Sequence, residues 1–251
     1  MEEIPLTGGN MNAGVVRVGN TVRRPAGPWT PAVHALLSHL RAAGFSGAPR
    51  PLGLDEHGRE VLEFIPGDVP WPGRIDLLAP DAAVIAVGRL VRDFHDAVTG
   101  FVPPAGASWQ VLIPADGAEI IAHHDLAPWN LVAGPRWAFI DWDTAAPGTR
   151  LWDLAYTAQT FALLPESVTS TQAARLRLLV DAYGLDERQR RELLRLLAPR
   201  TRSMHDFLAA QALVGNEPWT RLWNEGHGEA WQDQADHLER HHETWERALL
   251  T

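Results

Sequence analysis

At 251 residues the chain can form one large domain or two modest lobes, and 45% hydrophobic with 21% charged residues is the make-up of a folded protein. It has no cysteine and its 22 basic residues are all arginine, which excludes disulfides, thiolate metal sites, cysteine nucleophiles, Schiff-base chemistry and the Walker A lysine. The net charge of −9 argues against a nucleic-acid binder working by phosphate neutralisation; it suits a cationic or metal-associated ligand, or simple solubility.

The opening Met1-Glu2-Glu3-Ile4-Pro5 lacks the basic and apolar regions of a signal peptide, and no stretch approaches the ~20 apolar residues of a membrane span. A cytoplasmic protein with no membrane partner is expected. The first 66 residues read as β-rich. Gly14–Val18 and Thr21–Arg24 flank Gly19-Asn20, a two-residue hairpin turn. Pro31 to Ala43 has helical spacing at Val33, Leu36, Leu37 and Leu40, with Thr30 as the expected N-cap and Gly44 as the C-terminal stop. Short strands are expected at Pro51–Leu54 and Glu60–Ile65 around a His57-Gly58 turn.

Pro66-Gly67 and the prolines through Pro72 mark a boundary, so residues 1–66 and 67–251 are expected to form two lobes. An amphipathic helix follows from Pro80 to Val98. Ile120–Ala122 and Trp137–Ile140 suit short buried strands around a polar loop, and helices are expected over 151–163, 168–183, 186–213 and 228–250.

The chemistry concentrates in the loop His123-His124-Asp125-Leu126-Ala127-Pro128-Trp129-Asn130 and in Asp141, eleven residues past Asn130, at the end of an apolar run. An Asp and an Asn five apart, followed by a strand-end Asp, offer three oxygen donors to one point, and Mg²⁺ prefers such donors alongside phosphates and water. The same arrangement serves protein kinases.

Taken together, His123-x-Asp125-Leu126-x-Pro128-x-Asn130, Ile140-Asp141-Trp142-Asp143, Pro147-Gly148 and Trp152-Asp153-Leu154-Ala155 resemble the aminoglycoside phosphotransferase family of small-molecule kinases. The resemblance implies a bilobal, protein-kinase-like α+β fold, with a small antiparallel sheet lobe and a larger helical one. It implies Asp125 as the base that positions the acceptor hydroxyl, His123 as a brace of the loop, Asn130 and Asp141 as magnesium ligands, and Asp153 as a hydrogen-bonding support of the loop backbone. His124 and Asp143 carry weaker expectations. ATP or GTP with Mg²⁺ would be the cofactors, and a small molecule the acceptor.

The small lobe departs from the family pattern. Gly8 and Gly9 sit where a phosphate-covering loop belongs, although a plain turn is as reasonable a reading. The lysine expected on the third strand is absent. Arg24 is its expected replacement, with Val22 over the base and Arg23 as the alternative, because a one-residue slip exchanges strand faces. The following helix should carry a glutamate that pairs with that lysine, and Pro31–Ala43 contains no acidic residue. Glu63, Phe64 and Ile65 are expected to form the adenine-facing hinge. Loss of the lysine–glutamate pair leaves a second reading open, a nucleotide-binding pseudokinase-like module with little turnover.

Toward the C-terminus, residues 205–251 carry nine acidic side chains and three arginines beside Trp219, Trp223, Trp231 and Trp245. This composition suits either a cationic acceptor or a solvated helical face. His237 and His241 lie one helical turn apart and read as a surface pair.

Overall fold

A computed structural model describes residues 2–6, 14–164 and 169–251. Gly8 and Gly9 lie outside those residues, as does the expected helix start at 168.

The described residues from Ile4 to Glu63 contain an antiparallel five-stranded sheet in the order β1-β2-β3-β5-β4. Its strands are β1 (Ile4–Pro5), β2 (Val16–Val18), β3 (Thr21–Arg24), β4 (Pro51–Leu54) and β5 (Glu60–Glu63). Gly19 takes φ 59°, which lets Gly19-Asn20 close the β2–β3 hairpin as expected. In the β3–β5 ladder Arg24 stands opposite Glu60, and Val22 opposite Leu62.

Helix α1 (Thr30–Ala42) lies between β3 and β4 in sequence and buries Val33, Leu36, Leu37 and Leu40. The expected N-cap is corrected. Trp29 occupies that position, while Thr30 is already helical and its hydroxyl accepts from the Gly27 N–H at 2.9 Å. Pro31 satisfies the start of the helix from within, because its missing N–H needs no partner there.

The remaining chain is mainly helical. Helix α2 (Asp81–Ala97) turns Val84, Val87, Val91 and Phe94 into the core and packs along α4 (Thr169–Tyr183). Between them lie two short antiparallel pairs, β6 (Ile120–Ala122) with β9 (Ala146–Gly148), and β7 (Leu131–Val132) with β8 (Ala138–Phe139). They frame the polar loop on both sides. After α3 (Arg150–Phe161) and α4 comes the long α5 (Glu187–Leu213), started by a capping box between Asp186 and Gln189. The expected terminal helix is divided into α7 (His227–Arg240) and α8 (His242–Leu250), and α6 (Trp219–Asn224) precedes them. No helix among the described residues is long and apolar enough to cross a membrane.

The segment after the sheet passes close against the β7–β8 turn. Asp68 and Ala133 exchange backbone hydrogen bonds at 2.9 and 2.8 Å. A Cβ on Gly134 would lie 2.3 Å from the Pro66 carbonyl oxygen, and one on Gly67 would lie 2.6 Å from that of Ala133. Glycine is required at both positions by backbone proximity.

Candidate active site

The polar loop is built on a buried carboxylate. Asp153, in the first turn of α3, accepts the His123 N–H at 3.0 Å and the His124 N–H at 2.9 Å. His95 of α2 approaches the same carboxylate at 3.2 Å and meets the Tyr183 hydroxyl of α4 at 2.8 Å through its other nitrogen. Burial opposes ionisation of Asp153, but the His95 hydrogen bond and the neighbouring histidines outweigh it and hold the group well below the usual carboxylate range. The loop is thus tied to three helices. The family resemblance supplied Asp153, but not its partners His95 and Tyr183; a histidine on the apolar face of an amphipathic helix was the available signal.

His123 is fully buried under Trp142, with ring centroids 4.5 Å apart. Its Nε2 lies 3.2 Å from the Ile140 carbonyl, and its Nδ1 accepts from the Asp125 N–H at 3.3 Å, an arrangement that requires the proton on Nε2. Burial drives its pKa down to about 4, so the ring braces the loop in its neutral form. His124 follows in a left-handed conformation at φ 68°, its carbonyl accepting from Arg200 of α5 at 3.0 Å. Asp125 follows this strained link directly and is half-buried.

Asp125 and Asn130 are brought together. Asn130 Nδ2 donates to Asp125 Oδ2 at 2.7 Å and to the Asp125 carbonyl at 3.0 Å, while Trp129 Nε1 donates to the same carboxylate oxygen at 3.4 Å. With its nitrogen committed, Asn130 has its side-chain oxygen left to offer. The Asp125 carboxyl is pushed up to about 6, first by burial and then by the charge of Asp141, against the hydrogen bonds that favour ionisation.

Asp141 follows directly. The Ile140 N–H donates to the Asn130 carbonyl at 2.8 Å, and Asp141 then turns left-handed at φ 59°, tolerable for aspartate. Its carboxylate meets Arg24, which crosses from β3. Arg24 is buried and spends its three nitrogen positions on three carboxylates. Nε donates to Glu60, Nη1 to Asp141 at 2.8 Å and Nη2 to Asp143 at 2.5 Å. Asp143 is pushed up to about 6, by burial foremost, because the Arg24 charge only partly offsets burial and the adjacent acids. Glu60 also accepts from His34 of α1 at 2.8 Å.

The alternation along β3 therefore directs Arg24 to the loop acids, while Arg23 turns to the other face and comes within 3.9 Å of Asp55. Val22 is half-buried on β3. At the expected hinge, the Glu63 N–H donates to the Arg50 carbonyl and the Phe64 N–H to the Asn20 carbonyl, both at 2.9 Å, and the Glu63 carboxylate pairs with Arg136 at 2.9 Å. Of the three hinge residues, only Ile65 keeps both main-chain groups without a partner among the described residues.

On the C-terminal helices, Trp245 is core, and Trp231 stacks on Tyr156 with ring centroids 6.0 Å apart. Asp236 and Glu239 pair with Arg202, and Glu225 with Arg221, so part of the acidic excess is neutralised on the surface. His237 meets Gln172 at 2.9 Å. Among the described residues, no three His, Cys, Asp or Glu side chains form a ready metal cluster.

Known proteins similar to this chain point to one family and one fold. A family model described as the phosphotransferase enzyme family matches residues 107–177, which include the loop, Asp141 and Asp153. The trifolitoxin immunity protein of Rhizobium leguminosarum bv. trifolii is 37% identical over 206 residues, 75% of this chain and 77% of that protein. Among solved structures, a choline/ethanolamine kinase family protein of Mesorhizobium loti superposes with a TM-score of 0.66 at 15% identity, over 94% of this chain and 88% of that one. The GDP complex of an aminoglycoside 2'-phosphotransferase gives 0.60 at 11%, over 94% and 92%. An amicoumacin kinase in complex with AMP-PNP and Ca²⁺ gives 0.59 at 12%, over 96% and 88%. At these identities the solved structures show a shared fold, the bilobal protein-kinase-like one.

Proposed function

The chain belongs to the phosphotransferase enzyme family, and we propose that it moves the terminal phosphate of ATP or GTP to a hydroxyl of a small molecule. The observation that carries this reading is that Asn130 clamps Asp125, Asp141 is near enough for its charge to act on Asp125, and one strand arginine meets Asp141 and Asp143. In this assignment residues 1–66 form the nucleotide-binding lobe, and residues 67–251 the catalytic and acceptor-binding lobe.

The donor set suits magnesium. One guanidinium faces three carboxylates at Glu60, Asp141 and Asp143, an excess of negative charge that a divalent cation would balance. The free oxygen of Asn130 and the carboxylates of Asp141 and Asp143 are hard donors of the right kind. Asn130 and Asp141 would hold the ion, with Asp143 beside them. Bound there, magnesium would neutralise charge on the nucleotide phosphates.

The chain's own residues supply the rest. Asp125 accepts a hydrogen bond from the acceptor hydroxyl and orients its oxygen for in-line attack, and the His123 brace and Asn130 clamp fix the carboxylate for that role. Its elevated pKa suits it to take the proton as the new P–O bond forms. Arg24 keeps a permanent positive charge on the phosphate side, in the place of the missing lysine. Ile65 offers the free main-chain groups for the base, with Val22 beside it.

The acceptor class is taken from the relatives. An immunity protein against trifolitoxin, an aminoglycoside phosphotransferase and an amicoumacin kinase together favour an antibiotic or a similar amine- or sugar-bearing compound. The pseudokinase-like alternative is disfavoured by the alignment of Asp125 with Asn130, which a pure binder does not need. Transfer of labelled terminal phosphate from ATP or GTP to a panel of hydroxylated antibiotics tests the reading. Asp125-dependent product supports it, whereas nucleotide binding with no turnover on any acceptor refutes it.

A further inference from the structure

The arrangement around Arg24 does more than replace a lysine. In the family pattern the strand cation is held by a glutamate from the following helix, and α1 has none. Here the carboxylate comes from the neighbouring strand. Glu60 stands opposite Arg24 in the β3–β5 ladder, and its position is fixed by backbone register. Its two oxygens are divided, one to Arg24 Nε and the other to His34 Nε2 at 2.8 Å. Glu60 is 1% exposed, so the bridge is shielded from water.

The division of labour on the guanidinium matters. Nε is the edge nearest the β3 backbone, and Glu60 takes that edge. Both terminal nitrogens are thereby left to face the acids at 141 and 143, the side on which phosphates are assigned. A guanidinium is a rigid planar fork, so fixing one edge fixes the direction of the other two donors. Across the bridge, His34 lies on the same helix whose Val33, Leu36 and Leu37 are core residues, so its hydrogen bond links the Glu60 carboxylate, and through it the Arg24 fork, to α1.

We propose that Glu60 and His34 are positioning residues for the nucleotide phosphates: Glu60 orients the Arg24 fork, and His34 couples that orientation to helix α1. The helix–cation link of the family is kept, but with charges moved, carboxylate on the strand and imidazole on the helix. Burial works against ionisation of Glu60, yet the His34 hydrogen bond and the Arg24 charge leave it below its usual range, as a carboxylate with a standing structural task must be.

This inference rests on the reading that Arg24 faces the phosphates, so the test includes a control for that reading. Binding of fluorescent mant-ADP and mant-GDP with Mg²⁺ is measured alongside kcat and KM for ATP and GTP and the ligand-free Tm, for the native chain, Arg24→Ala, Glu60→Gln, His34→Leu, His34→Gln and the relocation pair His34→Glu/Glu60→Gln. The expected result is a nucleotide Kd weakened at least tenfold in Arg24→Ala and about as much in Glu60→Gln, with a smaller loss in His34→Leu. His34→Gln, which keeps a donor, should lose less than His34→Leu, and the relocation pair should recover binding relative to Glu60→Gln. If Arg24→Ala weakens binding while Glu60→Gln lowers only Tm and leaves the Kd within twofold, the inference falls and the reading of Arg24 stands. If Arg24→Ala leaves nucleotide binding unchanged, both fall.

Discussion

Two buried charge networks meet at this site, and they are held in different ways. On the loop side, Asp153 accepts hydrogen bonds from the backbone N–H groups of His123 and His124. On the sheet side, Arg24 is held by side chains alone, at Glu60, Asp141 and Asp143. Backbone donors have no other use, so the loop is set once, as the chain folds. Side-chain partners are exchangeable, and two of the three on Arg24 are the acids assigned to the metal. The contrast separates a part of the site prepared in advance from a part whose contacts would be redistributed under the proposed binding of nucleotide phosphates.

The sharpest break comes at Asp125. Asp125→Asn should lower kcat by about 10²–10⁴-fold in a phosphate-transfer assay, and it should not lower Tm. The sign follows from linkage. A carboxyl with a folded pKa near 6 contributes favourably only when protonated and destabilises the fold as pH rises through that value, so removing its charge at pH 7.5 is expected to stabilise by about 1–2 kcal/mol. Asp153→Ala tests the prepared side. Leaving His123, His124 and His95 without their shared acceptor should destabilise by about 3–5 kcal/mol, read as a fall in Tm whether or not nucleotide is present. The exchangeable side should behave differently: saturating Mg-nucleotide is expected to raise the Tm of the native chain, and Arg24→Met should abolish most of that gain. Acid should then act on kcat/KM, which is expected to fall tenfold per pH unit below about 6 as Asp125 takes up its proton. The smallest effect belongs far from both networks, where Arg188→Gln, breaking an exposed pair with Glu192, should change stability by no more than ~0.5 kcal/mol.

Much of this was legible in the sequence, for identifiable reasons. The β2–β3 hairpin, α1 and the amphipathic α2 follow from local turn chemistry and apolar spacing, and they lie within a residue or two of expectation. The loop residues were found because their spacing is short and their types are chemically restrictive. Strand alternation from Val22 favours Arg24 in the sequence but leaves Arg23 as the alternative, since the register that decides between them is set by the pairing of β3 with β5. Glu60 escaped notice because the family pattern places the carboxylate on the helix, whereas its cross-strand position opposite Arg24 exists only once the sheet is formed. The composition of the acidic C-terminal helices leaves open a cationic acceptor or a solvated helical face. In three dimensions Asp236 and Glu239 have an arginine partner, Arg202, that sequence distance conceals, while Glu225 pairs with Arg221 one helical turn away. Thr30 is misplaced for a simpler reason: threonine is a preferred N-cap, but here it lies inside the first turn with its hydroxyl accepting from the Gly27 N–H, and Trp29 takes the cap position with no side-chain hydrogen bond.

An unusual asymmetry follows from the cation at Arg24. A guanidinium held against three carboxylates has its pKa raised further still and never gives up its proton in water. The chain offers no lysine or cysteine, and of its tyrosines, burial lifts Tyr183 to about 12 and Tyr156 well above its ordinary value. The enzyme's own contribution to the rate profile should therefore have an acid limb and no alkaline one. If the proposed acceptor carries amines, a fall in turnover between pH 8 and 10 would report them, and the shape of that limb would help to identify the compound.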